Sequence, residues 1–482
     1  MPSRSRTEKT RSAADQPRAP IDFLDELKWR GLLHQCTDED GLREHLSTGA
    51  RCAYVGFDPT ADSLTIGNLV PIMLLVHFQR AGHTPIVVMG GGTGLIGDPS
   101  GKSAERQLMT AEEVEANVTS QKRVFESIWT SAATLSGDRK AWTAPQLTNN
   151  ADWLTKLSYI DVLRDVGKHF SVNMMIQKHS VRERLNNREQ GITYTEFSYM
   201  ILQAYDFLAL FYGKDRLGAN LDASAPVPQP EKDRITIQMG GSDQWGNIVA
   251  GSDLIRRTCG EDYRQGENGA PWCFGLTAPL VTKADGGKFG KTESGAIWLT
   301  ADRTSPYTFF QFWLNTDDGD LEKFLKLFTL LPEARVDELM QLHETNPGRR
   351  EAHRELANHM TTLLHGPAAA AHADAASKAL FSGDVADLPL ATLTDVFASV
   401  PSSEHDKADL DGEGLSLVDF LTRTTLAKSK RESREFLSNG SVSVNGRKVG
   451  MDHRLTKRDL LHGRLIAIRR GKKSWHVTRW GK

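Results

Sequence analysis

The sequence predicts an α/β fold whose first domain is built on a parallel sheet, and three stretches predict it. The apolar run Ala53-Tyr54-Val55 meets Gly56 and Asp58-Pro59 and is followed by a long apolar segment from Ile66 to Phe78, which reads as strand, loop and helix. A second strand, Pro85-Ile86-Val87-Val88-Met89, comes after Ala81-Gly82, so the unit is a βαβ crossover, right-handed in a parallel sheet. A third strand, Ile235-Thr236-Ile237-Gln238-Met239, alternates and runs into Gly240-Gly241-Ser242-Asp243-Gln244, at the carboxyl end where open α/β sheets bind ligands. The helix opening near Gly67 turns its free N–H groups and positive dipole end outward, which favours a phosphate and hence a nucleotide.

The chain has 482 residues, 39% of them hydrophobic, which suits two or more globular domains. No apolar run approaches the roughly 20 residues of a membrane helix, so no membrane partner is expected. Residues 1–20 are polar with five basic side chains and are expected to be a disordered tail rather than a secretory signal. Cys36, Cys52, Cys259 and Cys273 form no C-x-x-C pair, so neither a disulfide framework nor a zinc site is expected and a cytoplasmic protein fits. The net charge of −2 hides an asymmetry: residues 415–482 carry 17 Lys and Arg against 5 Asp and Glu, or +12, leaving −14 for the rest. A compact basic module on an acidic body points to a polyanionic partner for that module. The polar stretch 401–414 between them reads as a linker.

Gly92, Gly94 and Gly97 satisfy G-x-G-x-x-G after a strand, but Asp98-Pro99 interrupts the helix that a dinucleotide site requires. Gly97 and Gly101 are separated by three residues, one short of a P-loop. Apolar spacing is helical over 109–129 and 152–166, and 180–187 is a charged helical turn. The segment Thr195–Phe211 is apolar on nearly every face, with Tyr199, Gln203 and Asp206 at i, i+4 and i+7 on one side, where buried polar groups need partners. Residues 218–232, with Pro226, Pro228 and Pro230, read as an inserted surface loop. Helical pattern resumes over 305–380; later come helices from Leu417 and Ser429 and a hairpin at Asn445-Gly446.

Six ordered blocks carry a resemblance: Gly56-Phe57-Asp58-Pro59-Thr60 with Thr65-Ile66-Gly67-Asn68, then Gly94 to Ser100, Gly167 to Asn173, Glu196-Phe197-Ser198-Tyr199, Gly240 to Asn247, and Lys288-Phe289-Gly290-Lys291-Thr292. Together they resemble the signatures of the class I tyrosyl-tRNA synthetases of bacterial type. Two blocks depart from the family pattern: His-Ile-Gly-His reads Thr65-Ile66-Gly67-Asn68 here, and Lys-Met-Ser-Lys-Ser reads Lys288-Phe289-Gly290-Lys291-Thr292. The resemblance implies a Rossmann-like catalytic domain over 21–300, a helical anticodon-side domain over 301–400 and the linker 401–414. It further implies a small α+β RNA-binding domain over 415–482 that resembles ribosomal small-subunit protein four.

The resemblance also implies a chemistry: tyrosine is activated by ATP, entering with Mg²⁺, and then passed to the terminal adenosine of a tRNA by a homodimer, with no organic cofactor. Such phosphoryl transfer needs alignment and charge neutralisation more than a protein nucleophile. By the same resemblance Tyr54 and Asp206 bracket the substrate phenol, Asp98, Tyr199 and Gln203 hold its ammonium group, and Gln244 lies by its carboxylate. Gly56, Asp58, Gly67, Asn68 and Asp243 line the adenosine pocket, while Thr60, Lys102, Arg106, Lys288, Lys291 and Thr292 handle phosphates. Thr65 stands as a weak, shorter substitute for the first signature histidine and Asn68 as a milder change. Two alternatives share the scaffold: a tryptophan-specific relative, and a catalytically weak paralogue that acts by binding RNA, which the altered Thr65 and Asn68 keep open.

Overall fold

The computed structural model describes residues 21–99, 108–136, 142, 144–187, 191–213, 234–259, 273–284, 286–287, 289–292, 295–383, 385–398, 400–471 and 474–481. The chain divides into two compact units, one of Met1–Asp58, Pro71–Leu108 and Lys140–Leu280, the other of Pro59–Val70, Met109–Arg139 and Val281–Lys482. The tail 1–20 and the Pro226 to Pro230 insertion lie outside the described residues.

The first unit holds a six-stranded sheet of β1 (Gln35–Cys36), β2 (Cys52–Phe57), β3 (Thr84–Met89), β4 (Gln146–Asn149), β5 (Ile235–Gly241) and β6 (Phe274–Ala278) in the order β1-β6-β5-β2-β3-β4. All neighbours are parallel except β1, which runs antiparallel to β6. From β2 the chain moves outward to β3 and β4, then resumes on the other side of β2 with β5 and β6. The order therefore reverses between β2 and β5, and their carboxyl ends, Phe57 and Gly241, flank a switch-point crevice. Strands β3, β5 and β6 are buried along almost their whole length, which is why they read as unbroken apolar runs.

Helix α3 (Leu69–Arg80) follows a 3₁₀ turn at Ile66–Asn68, and α9 (Tyr194–Tyr212) packs on α10 (Trp245–Cys259). Every residue of α9 from Ala204 to Tyr212 is buried, and its rings join Tyr54, Ile86, Val88 and Trp153 in one core. The helix expected over 152–166 is broken: α5 (Ala151–Leu154) stops, and α6 (Tyr159–Asp161) opens on Ser158, whose hydroxyl accepts from the Asp161 N–H at 3.4 Å. A π-type turn, Val162–Val166, completes the segment. Polar residues able to cap are the reason, since they offer the backbone an end to the helix.

In the second unit α4 (Ala111–Leu135) opens with a capping box in which Glu113 N–H donates to Thr110 Oγ1 (3.2 Å) and Thr110 N–H to Glu113 Oε2 (2.9 Å). A hairpin of β7 (Lys291–Thr292) and β8 (Gly295–Ala296) precedes α11 (Pro306–Leu314), α12 (Asp318–Phe328), α13 (Glu333–Thr345) and α14 (Glu351–Ser382). Helix α14 breaks at Gly366 (φ 83°), just before Pro367. Phe289 packs among Phe312, Trp313, Phe324 and Phe328, with ring centroids 5.0–6.0 Å apart, and so ties the signature loop to the helices behind it.

The stretch 401–414, expected to be a linker, is not one. Ser402–Asp406 forms β9, paired in parallel with β15 (Ser474–Gly481) at the edge of a five-stranded sheet ordered β12-β11-β14-β15-β9; β11 is Val442–Val444, β12 Arg447–Lys448 and β14 Leu465–Arg470. As an edge strand β9 buries none of its residues fully, so its polar composition was compatible with a loop. His405 anchors it against the rings of Phe420 and Trp480, and Ser403 Oγ meets His476 Nε2 at 2.9 Å. Upstream, Leu393, Val396 and Phe397 around α15 (Leu390–Val396) pack with Leu465, Ala467 and Val477. Ala376 of α14 and Val385 join the same core, so a cut before Leu390 removes most of this packing together with the sheet, while a cut at Val400 divides it. A chain ended at Val400 should expose these side chains, bind a hydrophobic dye and aggregate, whereas one ended at Ser382 should elute as a single species in size-exclusion chromatography; equal behaviour of the two would place the boundary elsewhere.

Candidate active site

The loops that leave the carboxyl ends of the sheet strands carry a dense polar group. Asp206, 4% exposed on α9, accepts hydrogen bonds at both oxygens: Asn150 Nδ2 donates to Oδ2 at 2.9 Å and Trp153 Nε1 to Oδ1 at 2.7 Å. Asn150 also donates to Thr93 Oγ1 (2.9 Å), and Thr93 Oγ1 in turn donates to Asp58 Oδ1 (2.8 Å). Tyr199 completes the chain by donating its hydroxyl to Asp58 Oδ2 at 2.9 Å. Farther along, Gln244 Nε2 donates to Asp98 Oδ2 (2.7 Å), and Asn247 Nδ2 to Gln203 Oε1 (2.9 Å) and Gln244 Oε1 (3.3 Å).

Among the described residues, a polar atom at the centre of this group has no partner. The hydroxyl of Tyr54, on β2, is buried without a hydrogen bond, while its ring packs edge-on to Phe207 at 5.6 Å. Burial, and next the negative charge of Asp206, push its pKa well above the phenol range. A buried hydroxyl left unpaired costs about 1–3 kcal/mol, so Tyr54 is poised for a ligand that brings a polar group.

The glycines after β3 serve this network. A Cβ on Gly90 would lie 2.2 Å from Asp58 Oδ1, and one on Gly91 2.2 Å from Asn149 Oδ1, so only glycine lets the loop approach so closely. The N–H groups of Gly91 and Gly92 donate to Asn149 and Asn150 side chains at 3.1 and 2.7 Å and are thus engaged with protein rather than with a dinucleotide's phosphates.

All six residues expected around an amino-acid substrate, Tyr54, Asp98, Tyr199, Gln203, Asp206 and Gln244, fall in the first unit, as do Gly56, Asp58 and Asp243 of the expected nucleotide pocket. Gly56 and Asp243 are exposed near the carboxyl ends of β2 and β5. Thr93, Asn150 and Trp153 were missed, because each acts on a partner that the sequence reading singled out without carrying a signature of its own; Asn247 closes a signature block but was given no role. Lys178 was missed too: its Nζ is buried without a hydrogen bond among the described residues, and burial pulls its pKa down to about 7, against the charge of Asp98.

In the second unit the two altered signatures meet. Ile66 N–H donates to Ile297 O (2.9 Å), Ile297 N–H to Gly290 O (3.2 Å), and Thr65 bridges Trp298. A Cβ on Gly290, whose φ is +82°, would sit 2.4 Å from Ile66 Cγ2, so glycine is required both for conformation and for space. Thr65 and Asn68 bond each other: Asn68 Oδ1 accepts from the Thr65 N–H at 3.0 Å and from Thr65 Oγ1 at 3.1 Å. Thr60 and Gly67 are exposed beside them, and Lys291 and Thr292 form β7. Lys102, Arg106 and Lys288 lie outside the described residues.

A largely parallel sheet whose switch point gathers Asp58, Asp98 and Asp206 with several amides defines an α/β protein with a polar ligand site there. The chain belongs to the family described as tRNA synthetases class I (W and Y), whose family model matches residues 47–382, and a model for the tyrosine–tRNA ligase SYY-like C-terminal domain matches 392–478. Among curated relatives it is 48% identical to the tyrosine–tRNA ligase of Roseiflexus castenholzii, over 95% of this chain and 99% of that protein. It is 47% identical to that of Bacillus caldotenax, over 95% and 100% respectively. Of solved structures, a C-terminally truncated mitochondrial tyrosyl-tRNA synthetase from Aspergillus nidulans superposes with a TM-score of 0.64 at 28% identity, covering 75% of this chain and 94% of that one.

The Asp206 carboxyl titrates near 7, raised mainly by burial and also by the charge of Asp58, against the hydrogen bonds from Asn150 and Trp153. In the unfolded chain it titrates near 4. Between those values the native state holds a proton that the unfolded state has lost, so this group's contribution to stability is complete below about pH 4 and is lost as pH rises through about 7. Asp206→Asn removes the titration. Urea unfolding at pH 5 and pH 8 should show wild type losing stability relative to the variant at the higher pH.

Proposed function

We propose that this chain is a tyrosine–tRNA ligase. A tyrosine carboxylate oxygen attacks the α-phosphorus of ATP, the bond to pyrophosphate breaks, and a hydroxyl of the terminal adenosine of tRNA then displaces AMP from the mixed anhydride. The observation that carries this reading is the unpartnered Tyr54 hydroxyl buried close to the Asp206 carboxyl: a substrate phenol donates to Asp206 and accepts from Tyr54. Sites built to hydrogen-bond a hydroxyl reject the analogue lacking it by orders of magnitude, as tyrosyl-tRNA synthetases themselves exemplify. A tryptophan side chain offers no hydroxyl to satisfy the pair.

Asp98, Tyr199 and Gln203 are assigned to the ammonium group and Gln244 to the carboxylate, which the amide of Gln244 suits as donor. Gly56, Asp58, Gly67, Asn68 and Asp243 are assigned to adenosine. Thr60, Thr65, Lys102, Arg106, Lys288, Lys291 and Thr292 are assigned to the phosphates of Mg²⁺-bound ATP. The reading gives tRNA to the C-terminal region, where Lys430, Arg431, Arg434, Arg447, Lys448, Lys457 and Arg458 are exposed and favour a sugar-phosphate backbone; the small domain resembling ribosomal protein four belongs to the same proposal. A homodimer is supported by the exposed apolar side chains Tyr159, Ile160, Val172, Met174 and Tyr194, 52–66% accessible within one stretch of the first unit. No helix among the described residues is long and apolar enough to cross a membrane. Among the described residues the four cysteines form no disulfide, which suits a reducing cytoplasm.

Asp206→Ala tests the assignment: tyrosine-dependent pyrophosphate exchange should fall roughly 10- to 100-fold in kcat/KM for tyrosine, the loss of a charge-assisted hydrogen bond, with the KM for ATP near wild type. Unchanged tyrosine activation would sink it. The bond between Thr65 and Asn68 changes what is expected there. Because the Thr65 hydroxyl is already given to Asn68, Thr65→His and Asn68→His should each slow adenylate formation singly and less than additively together. Single-turnover rates of the four combinations should show a coupling of about 0.5–1.5 kcal/mol; strict additivity would mean that the two residues act independently.

A further inference from the structure

A second site of a different chemistry lies at a helix corner of the second unit. Asp318 begins α12, His343 sits in the last turn of α13, and His353 sits in the first turn of α14. One donor atom from each lies within 4.8 Å of the other two. His353 Nε2 is 3.1 Å and His343 Nε2 3.5 Å from Asp318 Oδ1, close to the ~3.3 Å that separates ligands around a tetrahedral ion with bonds of ~2.0–2.1 Å. The His353 side chain is 0% exposed, yet among the described residues neither of its ring nitrogens makes a hydrogen bond of normal geometry, and His343 Nδ1 is buried unpartnered there as well. Buried imidazole nitrogens left unsatisfied are costly, which a metal ion would relieve.

The backbone is shaped to deliver these groups. Arg350, immediately before α14, is one of three non-glycine residues with positive φ among the described residues (52°), a conformation that costs energy for a side-chain-bearing residue. It sets the start of α14 so that His353 enters the corner. The guanidinium of Arg350, the cation whose charge bears on His353, donates to the Leu314 carbonyl at 2.6 Å. The Thr316 backbone is within reach of the His353 ring, the kind of partner that orients a metal-ligating imidazole.

We propose that Asp318, His343 and His353 bind one divalent transition-metal ion of the zinc class, joining the ends of α12, α13 and α14. Two imidazoles and one carboxylate suit zinc over magnesium, which prefers an all-oxygen octahedron, so the site is distinct from ATP-borne Mg²⁺. The Asp318 side chain is 62% exposed, and water completes the coordination on that side.

The test uses the full chain without an affinity tag, stripped with a chelator and titrated with Co²⁺ while visible d–d absorption is recorded, followed by displacement with Zn²⁺. The expected result is one ion per chain with a strong low-symmetry spectrum, and a higher unfolding temperature in Zn²⁺. Asp318→Asn and His343→Ala should each weaken Co²⁺ and Zn²⁺ binding by at least the roughly 10- to 100-fold that losing even an outer-shell partner costs. Both should keep the wild-type circular dichroism and pyrophosphate exchange; these positions are used because removing the buried His353 could unfold the corner. Absence of a stoichiometric ion in wild type, or binding unchanged in both variants, overturns the proposal.

Discussion

The carboxyl group of Asp206 is enclosed by apolar rings of the sheet core, and a group of that kind is tolerable there only while donors meet it. Trp153 and Asn150 supply them, and that requirement reaches outward. To place Asn150, the chain must leave β4 in a tight turn; to hold Asn150 in turn, Thr93 must lie beside it, and Gly90 and Gly91 must carry no side chain. Asp58, at the end of β2, then closes the series by accepting from both Thr93 and Tyr199. One buried acid thus couples the loops after β2, β3 and β4 to the middle of α9. The switch-point topology explains why these loops are available together, since strands on either side of β2 all release their chains at the same end of the sheet.

The second unit shows another solution to a polar problem. Where the family places two histidines, Thr65 and Asn68 satisfy each other across a single helical turn. A short hydroxyl cannot reach as far as an imidazole, and the partner within reach is the amide three residues on, so the two changed residues form one local hydrogen-bonded unit. The turn is held against the segment 290–298 by backbone hydrogen bonds. Position 290 must be glycine because Ile66 fills the space that a Cβ would occupy, and Phe289 beside it is fixed among aromatic rings. The backbone at 289–290 is therefore held on one side by a packed anchor.

Elements whose evidence is local were legible in the sequence. The βαβ unit, the buried helix with Tyr199, Gln203 and Asp206 on one side, the terminal hairpin at Asn445-Gly446 and the basic C-terminal region all rest on spacing, turn chemistry or charge within a few residues. The structure places them where that reading did. The ordered signature blocks added the family, because their residue identities are readable without the fold.

What only the tertiary structure decided depends on residues far apart in sequence. Asn150 and Trp153 reach Asp206 across more than fifty residues, and neither type of residue announces such a role. Ser402–Asp406 looked like a linker because an edge strand needs no apolar alternation; its place was decided by the free edge of β15. Asp318, His343 and His353 obey no metal-binding spacing, since their nearness comes from three helix ends turning into one corner. Sequence by itself determined the strongly periodic helices and strands and the signature blocks, because periodicity and residue identity are properties of neighbouring residues. Tertiary structure decided which polar groups are buried together, because burial and hydrogen-bond partnership arise only when distant segments exclude water between them.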